Sequence, residues 1–210
     1  MYKQVAEKQV NHYKSLCQNA LDKLREELKK ECGIRIRIVL VGSGARNMVT
    51  RNGNGPFDLD YNLVLSSIPK KYTGSPEKLK THIREILNNL VPANFSNGKD
   101  STSAITYILH SPDMKRVEFK MDVALVLAGK NCFNKLVHDK KTGKYIWNKI
   151  RKSADLEPKL DAIKAAGRLD DVADIYYQKK NSYLSCQDND HPSFVVYIEA
   201  VNEVYQKLKK

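Results

Sequence analysis

Two apolar runs keep carboxylates where a buried strand would ordinarily reject them, and no other feature restricts the fold of this chain as much. They are PFDLDYNLVL (56–65) and VEFKMDVALVL (117–127). Both read as β-strands, in which successive side chains point to opposite faces. Asp58 and Asp60 therefore share one face, while Phe57, Leu59 and Tyr61 occupy the other. Glu118, Lys120 and Asp122 share a face in the same way. An unpaired charge among Met121, Val123, Ala124 and Leu125 is costly, and two neighbouring carboxylates repel each other when both are ionised. A divalent cation relieves both penalties, and Mg²⁺ prefers carboxylate and phosphate oxygens. An Asp-x-Asp pair on a solvated edge strand, with Asp122 bound to a lysine, is the plain structural alternative.

The segment ahead of these runs favours the metal reading. IRIRIVLV (34–41) alternates and then becomes continuously apolar, as in a strand whose inner end is buried on both faces. It leads straight into Gly42-Ser43-Gly44. Glycine allows a sharp turn and a close approach to a ligand. Ser43 offers a hydroxyl and a backbone N–H to phosphate, and Arg46 follows one helical turn later. A short helix is expected around Ala45 to Thr50, its N-terminal N–H groups adding to the phosphate site, and then a loop, RNGNGP (51–56). Neither a P-loop nor a dinucleotide fingerprint is present.

The remaining chain supplies covering elements. Val10, Tyr13, Cys17, Leu21, Leu24 and Leu28 recur at helical spacing and predict a long helix over 3–30, ended by Gly33. Pro76 to Leu90 reads as a helix capped by Ser75. NFSNGKDS (94–101) reads as a turn, AITYILH (104–110) as a strand, and SPDMK as the link to the carboxylate strand that follows. NKLVHDKKTGKYIWNKI (134–150) predicts a hairpin turning at DKKTG. Helices are expected over 155–165, 170–180 and 193–208. The expected fold class is α+β: a mixed β-sheet flanked by helices, with a long N-terminal helix and a helical C-terminal region. Residues 1–130 are expected to form the core, and 131–210 a hairpin and helical region packed on it.

With 41% apolar and 29% charged residues, the chain has an ordinary water-soluble composition. It has no apolar run of membrane-spanning length, and the cytoplasm is the expected compartment. Its four cysteines form no C-x-x-C pair, which leaves a structural zinc knot without support. A net charge of +12 favours anionic partners. A nucleoside triphosphate satisfies that charge; nucleic acid is compatible with it but not required.

VLVGSGA, PFDLDYNLVL and VEFKMDVALVL together resemble the DNA polymerase beta-like nucleotidyltransferase superfamily. There, a Gly-Ser turn precedes a two-carboxylate strand, and a later strand carries the third carboxylate. The resemblance covers roughly residues 25 to 130, and the helical end is similar to that of oligoadenylate-synthase-like branches; a minimal bacterial branch is the other affinity considered. It implies that Asp58, Asp60 and Asp122 are the catalytic, metal-binding residues for two Mg²⁺ ions, with Mn²⁺ as a substitute. It further implies that Gly42 and Ser43 hold the β- and γ-phosphates. Arg46 and Lys120 are added as candidate nucleotide contacts. The implied reaction transfers an NMP from an NTP to an acceptor hydroxyl and releases pyrophosphate. The acceptor could be a small molecule, a nucleotide, an RNA end or a protein. The alternative is a catalytically inactive binding module on the same fold, acting as an antitoxin, adaptor or RNA-binding protein. The sequence departs from the family in the long stretch from Ser43 to Asp58, where Asn47 and Met48 replace the usual glycine or threonine.

Overall fold

The strand order explains how the two carboxylate runs meet. In a computed structural model, which describes residues 1–111, 113–130, 132–150, 155–188 and 191–209, the chain begins with β1 (Tyr2–Gln4), α1 (Glu7–Cys32), β2 (Ile36–Val41) and α2 (Gly42–Ala45). It continues through β3 (Thr50–Asn52), β4 (Phe57–Leu65), α3 (Lys70–Thr73) and α4 (Pro76–Asn88). Next come β5 (Phe95–Asn97), β6 (Ile105–His110), β7 (Val117–Ala128), β8 (Phe133–Asp139) and β9 (Lys144–Lys149). The helices α5 (Leu156–Ala165), α6 (Leu169–Ser185) and α7 (Ser193–Leu208) follow.

The main sheet has the order β2-β4-β7-β6-β5, with β8 pairing to β7 and β9 to β8. It is mixed: β4 and β7 run parallel, and the other pairs are antiparallel. The expected α+β class with a mixed sheet and flanking helices is therefore observed. The chain divides into two compact units. One holds Val5–Val49 and Asn54–Ile150; the other holds Met1–Gln4, Thr50–Gly53 and Arg151–Lys210. The β8–β9 hairpin, grouped with the helical end in the sequence reading, is an extension of the sheet.

The face of the sheet opposite the aspartates is covered by α1 and α4. Val10, Tyr13, Cys17, Leu21, Leu24 and Leu28 of α1 are all buried. They join Leu79, Ile83 and Leu87 of α4 against Phe57, Leu59, Tyr61, Phe119, Met121 and Val123. Tyr13 stacks on Phe119 at 4.4 Å and meets Phe57 edge-on at 5.3 Å. Each large side chain buried this way contributes about 1.5–3 kcal/mol, enough to settle which face of β4 turns inward. Gly33 ends α1 in the left-handed conformation, its N–H bonded to Lys29 O, while Ile34 N–H returns to Leu28 O.

Several local expectations are corrected. The first helix begins at Glu7, because Tyr2–Gln4 pairs antiparallel with Thr50–Asn52. The helix expected over 45–50 lies earlier, at Gly42–Ala45, and the supposed loop RNGNGP begins with strand residues. Asn47 adopts φ 57, a left-handed conformation that a helix does not continue through. Ser75 stands at the N-cap of α4 but makes no side-chain capping bond; Lys78 N–H reaches its carbonyl instead. NFSNGKDS contributes an edge strand, β5, paired to β6. Part of SPDMK, at Pro112, lies outside the described residues.

In the other unit, α5, α6 and α7 pack around Ile163, Val172, Tyr176, Val196, Ala200, Val201 and Val204. Asn181 of α6 accepts Tyr2 N–H at 2.6 Å and donates to Tyr2 O, and Lys180 Nζ sits 4.1 Å from the Tyr2 ring centroid. No helix among the described residues is long and apolar enough to cross a membrane.

Candidate active site

Parallel register makes Asp60 of β4 and Asp122 of β7 direct neighbours, and Asp58 pairs with Lys120. All four side chains lie on one face, as alternation predicts. Each of Asp58, Asp60 and Asp122 offers a carboxylate oxygen within 4.8 Å of the others. Asp58 is exposed and the other two are half-buried.

The Gly-Ser turn abuts this triad because Val41, the last residue of β2, pairs with Asp60. Gly42 comes next, with φ +65, and a Cβ there would stand 2.5 Å from Asp60 Oδ2. Both the conformation and the clearance require glycine. Ser43 O accepts N–H bonds from Arg46 at 3.2 Å and Met48 at 3.0 Å, which closes the turn. Arg46 follows α2 and lies near enough to Asp60 to lower its proton affinity.

Two residues that the sequence reading did not single out belong to the site. Thr106, buried on β6, pairs with Asp122 and donates its Oγ1–H to Asp122 Oδ1 at 2.5 Å. Lys135 on β8 pairs with Val126, on the same face of β7 as Asp122, and it interacts with both Asp60 and Asp122. Thr106 was detectable as a polar residue between Ile105 and Tyr107, whose side chains are both buried. Lys135 offered no signal, since lysines occur along the whole chain.

The electrostatics are those of crowded, partly buried carboxylates. Burial, then the charges of Asp58 and Asp122, push Asp60 from 3.8 up to about 7; Lys135 and Arg46 offset only part of this. Burial also raises Asp122, although the Thr106 hydrogen bond and the charges of Lys120 and Lys135 oppose the shift. Burial lowers the proton affinity of Lys135, which its attraction to Asp60 and Asp122 partly restores. Three carboxylates held together, one retaining a proton near neutrality, fit an oxygen-ligated divalent cation better than a self-contained ion pair.

All the sequence-derived candidates thus fall in one region. Gly42 and the aspartates converge directly. Ser43 and Arg46 flank them on the turn, and Lys120 stands beside Asp58 in register.

No protein-family model and no curated protein matches the sequence. Solved structures do match. One is CdnC of E. coli MS115-1 with ATP, 17% identical with a TM-score of 0.57, covering 95% of this chain and 62% of that one. Another is the Vibrio cholerae DncV cyclic AMP-GMP synthase with the linear intermediate pppA(3′,5′)pG, 12% identical with a TM-score of 0.66, covering 94% of this chain and 68% of that one. DncV with 3′-deoxy ATP matches at 13% identity and a TM-score of 0.64. This chain therefore spans about two thirds or less of the length of these neighbours. DncV is described as a prokaryotic cGAS homolog, and this chain has the nucleotidyltransferase fold of the CdnC and DncV structures.

Proposed function

We propose that this chain is a metal-dependent nucleotidyltransferase that moves an NMP from an NTP to an acceptor hydroxyl and releases pyrophosphate. The observation that carries this reading is the β4–β7 register, which sets Asp60 beside Asp122 on the face that also bears Asp58, next to the Gly42 turn.

Asp58, Asp60 and Asp122 would hold two Mg²⁺ ions, which supply charge neutralisation for the triphosphate and acidify the acceptor hydroxyl. Gly42 leaves the space that the Asp60 carboxylate occupies beside the turn, while Ser43 and Arg46 present hydrogen-bond donors to the β- and γ-phosphates. Thr106 fixes Oδ1 of Asp122, which leaves the other oxygen free to face the attacking group. The acceptor oxygen forms a bond to the α-phosphorus, the bond from that phosphorus to the bridging β-phosphate oxygen breaks, and the acceptor proton passes to a carboxylate or solvent. Lys135 and Lys120 limit the negative charge that accumulates as pyrophosphate departs.

DncV is recorded with a linear pppA(3′,5′)pG intermediate, which favours a second nucleotide as acceptor here. The three intact carboxylates argue against the inactive binding-module alternative, because a fold retained only for binding has no use for a charge cluster this costly.

The test incubates the full chain with each α-labelled NTP and Mg²⁺ or Mn²⁺, with and without cell extract. Pyrophosphate release and labelled products are then followed. Asp60→Asn and Asp122→Asn should each lower turnover by at least about a hundredfold, on the scale set by loss of a group stabilising the transition state, with far-UV circular dichroism unchanged. Turnover that survives both substitutions refutes the assignment. Label in a cyclic or short oligonucleotide identifies a nucleotide acceptor, and label in RNA, metabolite or protein identifies the others.

A further inference from the structure

A second cluster of ligating groups lies on the helix-covered side of the sheet, away from the face that bears the aspartates. Glu31 and Cys32 form the end of α1, and His82 lies in α4, where the two helices pack together. One oxygen of Glu31, the Cys32 sulfur and one nitrogen of His82 all lie within 4.8 Å of one another. Cys32 Sγ is 3.2 Å from His82 Nε2, and the same nitrogen is 3.8 Å from Glu31 Oε2. The other ring nitrogen, Nδ1, faces Glu85 Oε2 at 3.9 Å.

We propose that Glu31, Cys32 and His82 form a binding site for a borderline-soft divalent transition metal of the zinc class, separate from the oxygen-only aspartate site.

The donor set carries the choice of metal. A thiolate and an imidazole select zinc-like ions over Mg²⁺, which takes oxygen ligands. Tetrahedral ligands at the usual zinc bond lengths stand about 3.5 Å apart for sulfur and nitrogen and about 3.4 Å for nitrogen and oxygen. The observed 3.2 and 3.8 Å each lie within a few tenths of an ångström of those values, and the Glu31 oxygen, within 4.8 Å of the sulfur on an exposed side chain, can rotate to complete the set. A metal-ligating histidine commonly directs its second ring nitrogen to a carboxylate, which fixes the tautomer. Glu85, 3.9 Å from Nδ1 on an exposed side chain, can close to hydrogen-bond distance and fill that role. Lys71 Nζ donates to the Cys32 sulfur at 3.5 Å. Its side chain is exposed, so a divalent cation can displace it. Binding requires the thiol: the S–H bond breaks, the proton leaves to solvent, and the sulfur pair coordinates the metal. Affinity should therefore rise with pH. A fourth position remains for water.

Zinc affinity of the full chain, measured with a chromogenic chelator as competitor and with saturating Mg²⁺ present, tests the site. The wild type should bind one zinc equivalent that Cys32→Ser and His82→Ala each weaken more than a hundredfold, and Glu85→Gln should weaken it about tenfold. Co²⁺ in place of zinc should give a sulfur-to-cobalt charge-transfer band that disappears in Cys32→Ser and persists in Cys186→Ser. Circular dichroism separates lost ligation from lost folding, and His82→Ala serves as the second variant should Cys32→Ser misfold. Zinc binding and a cobalt spectrum indifferent to both substitutions would overturn the proposal. So would zinc binding removed only by Asp122→Asn, or no zinc binding at all.

Discussion

Thr106 shows how much of the site rests on a single hydrogen bond. Its hydroxyl holds one oxygen of Asp122, a carboxylate that burial disfavours in its charged form. Without that donor Asp122 should gain proton affinity and lose its fixed orientation. Thr106→Val preserves shape and removes the hydroxyl. We expect turnover about tenfold lower and a rate profile displaced to higher pH, while stability changes by only about 1 kcal/mol. A pH–rate profile of the variant checks this, and an undisplaced profile would assign Thr106 to packing alone. Gly42 makes the complementary point through what it lacks: any side chain there would meet Asp60.

Between secondary-structure elements, α4 is tied to the sheet through a half-buried ion cluster beside β6. Lys80, only 6% exposed, pairs with Asp100 Oδ2 at 2.9 Å, and Arg84 binds the other oxygen. Asp100 also accepts Thr106 N–H at 3.2 Å, which links the cluster to the strand that bears the Asp122 partner. Burial opposes ionisation of Asp100, but hydrogen bonds from Arg84 and Lys80 outweigh it and hold the carboxyl below its ordinary value. A depressed carboxylate stabilises the fold above its unfolded pKa and loses that contribution as the pH falls through the folded one. Asp100→Asn should cost about 2 kcal/mol, the loss from a buried pair reduced by the partial exposure of Asp100, because it takes the counter-charge from buried Lys80. Lys80→Met added to it should recover part of that loss. Urea denaturation of the single and double variants measures both, and additive losses would contradict the account.

For the folded chain as a unit in solution, the aspartate site should make stability depend on pH and cations together. Asp60 is raised from 3.8 to about 7, so the folded state binds more protons than the unfolded state between those values. Stability of the cation-free chain should therefore fall as pH rises across that interval. Mg²⁺ replaces the proton, and at a hundred times its dissociation constant it contributes about 2.7 kcal/mol. The melting temperature in chelator should be lower at pH 8 than at pH 6, and Mg²⁺ should raise it more at pH 8. Asp60→Asn should reduce the slope of the chelator profile, leaving only the part due to Asp122, which burial also raises. Calorimetry that finds the same pH slope in that variant would exclude Asp60 as the source.

The aspartates, their shared face and the apolar face behind them were legible because strand alternation is a local property. The long helix and Gly33 were legible because helical spacing and a left-handed cap are local as well. Failures occurred where a distant partner decides the conformation. Tyr2–Gln4 and Thr50–Asn52 are strands only because they pair with each other, and Phe95–Asn97 only because β6 lies alongside. Thr106 followed the same rule, since alternation gives it a face but not a neighbour, and Lys135 could not be told from the other lysines. Periodicity and turn chemistry, written in adjacent residues, therefore supplied the elements and the direction of each carboxylate. Which strands lie side by side, and in which register, is set by burial of the α1–α4 core across the sheet. That non-local free energy brings Asp60 against Asp122 and places Lys135 and Thr106 around them.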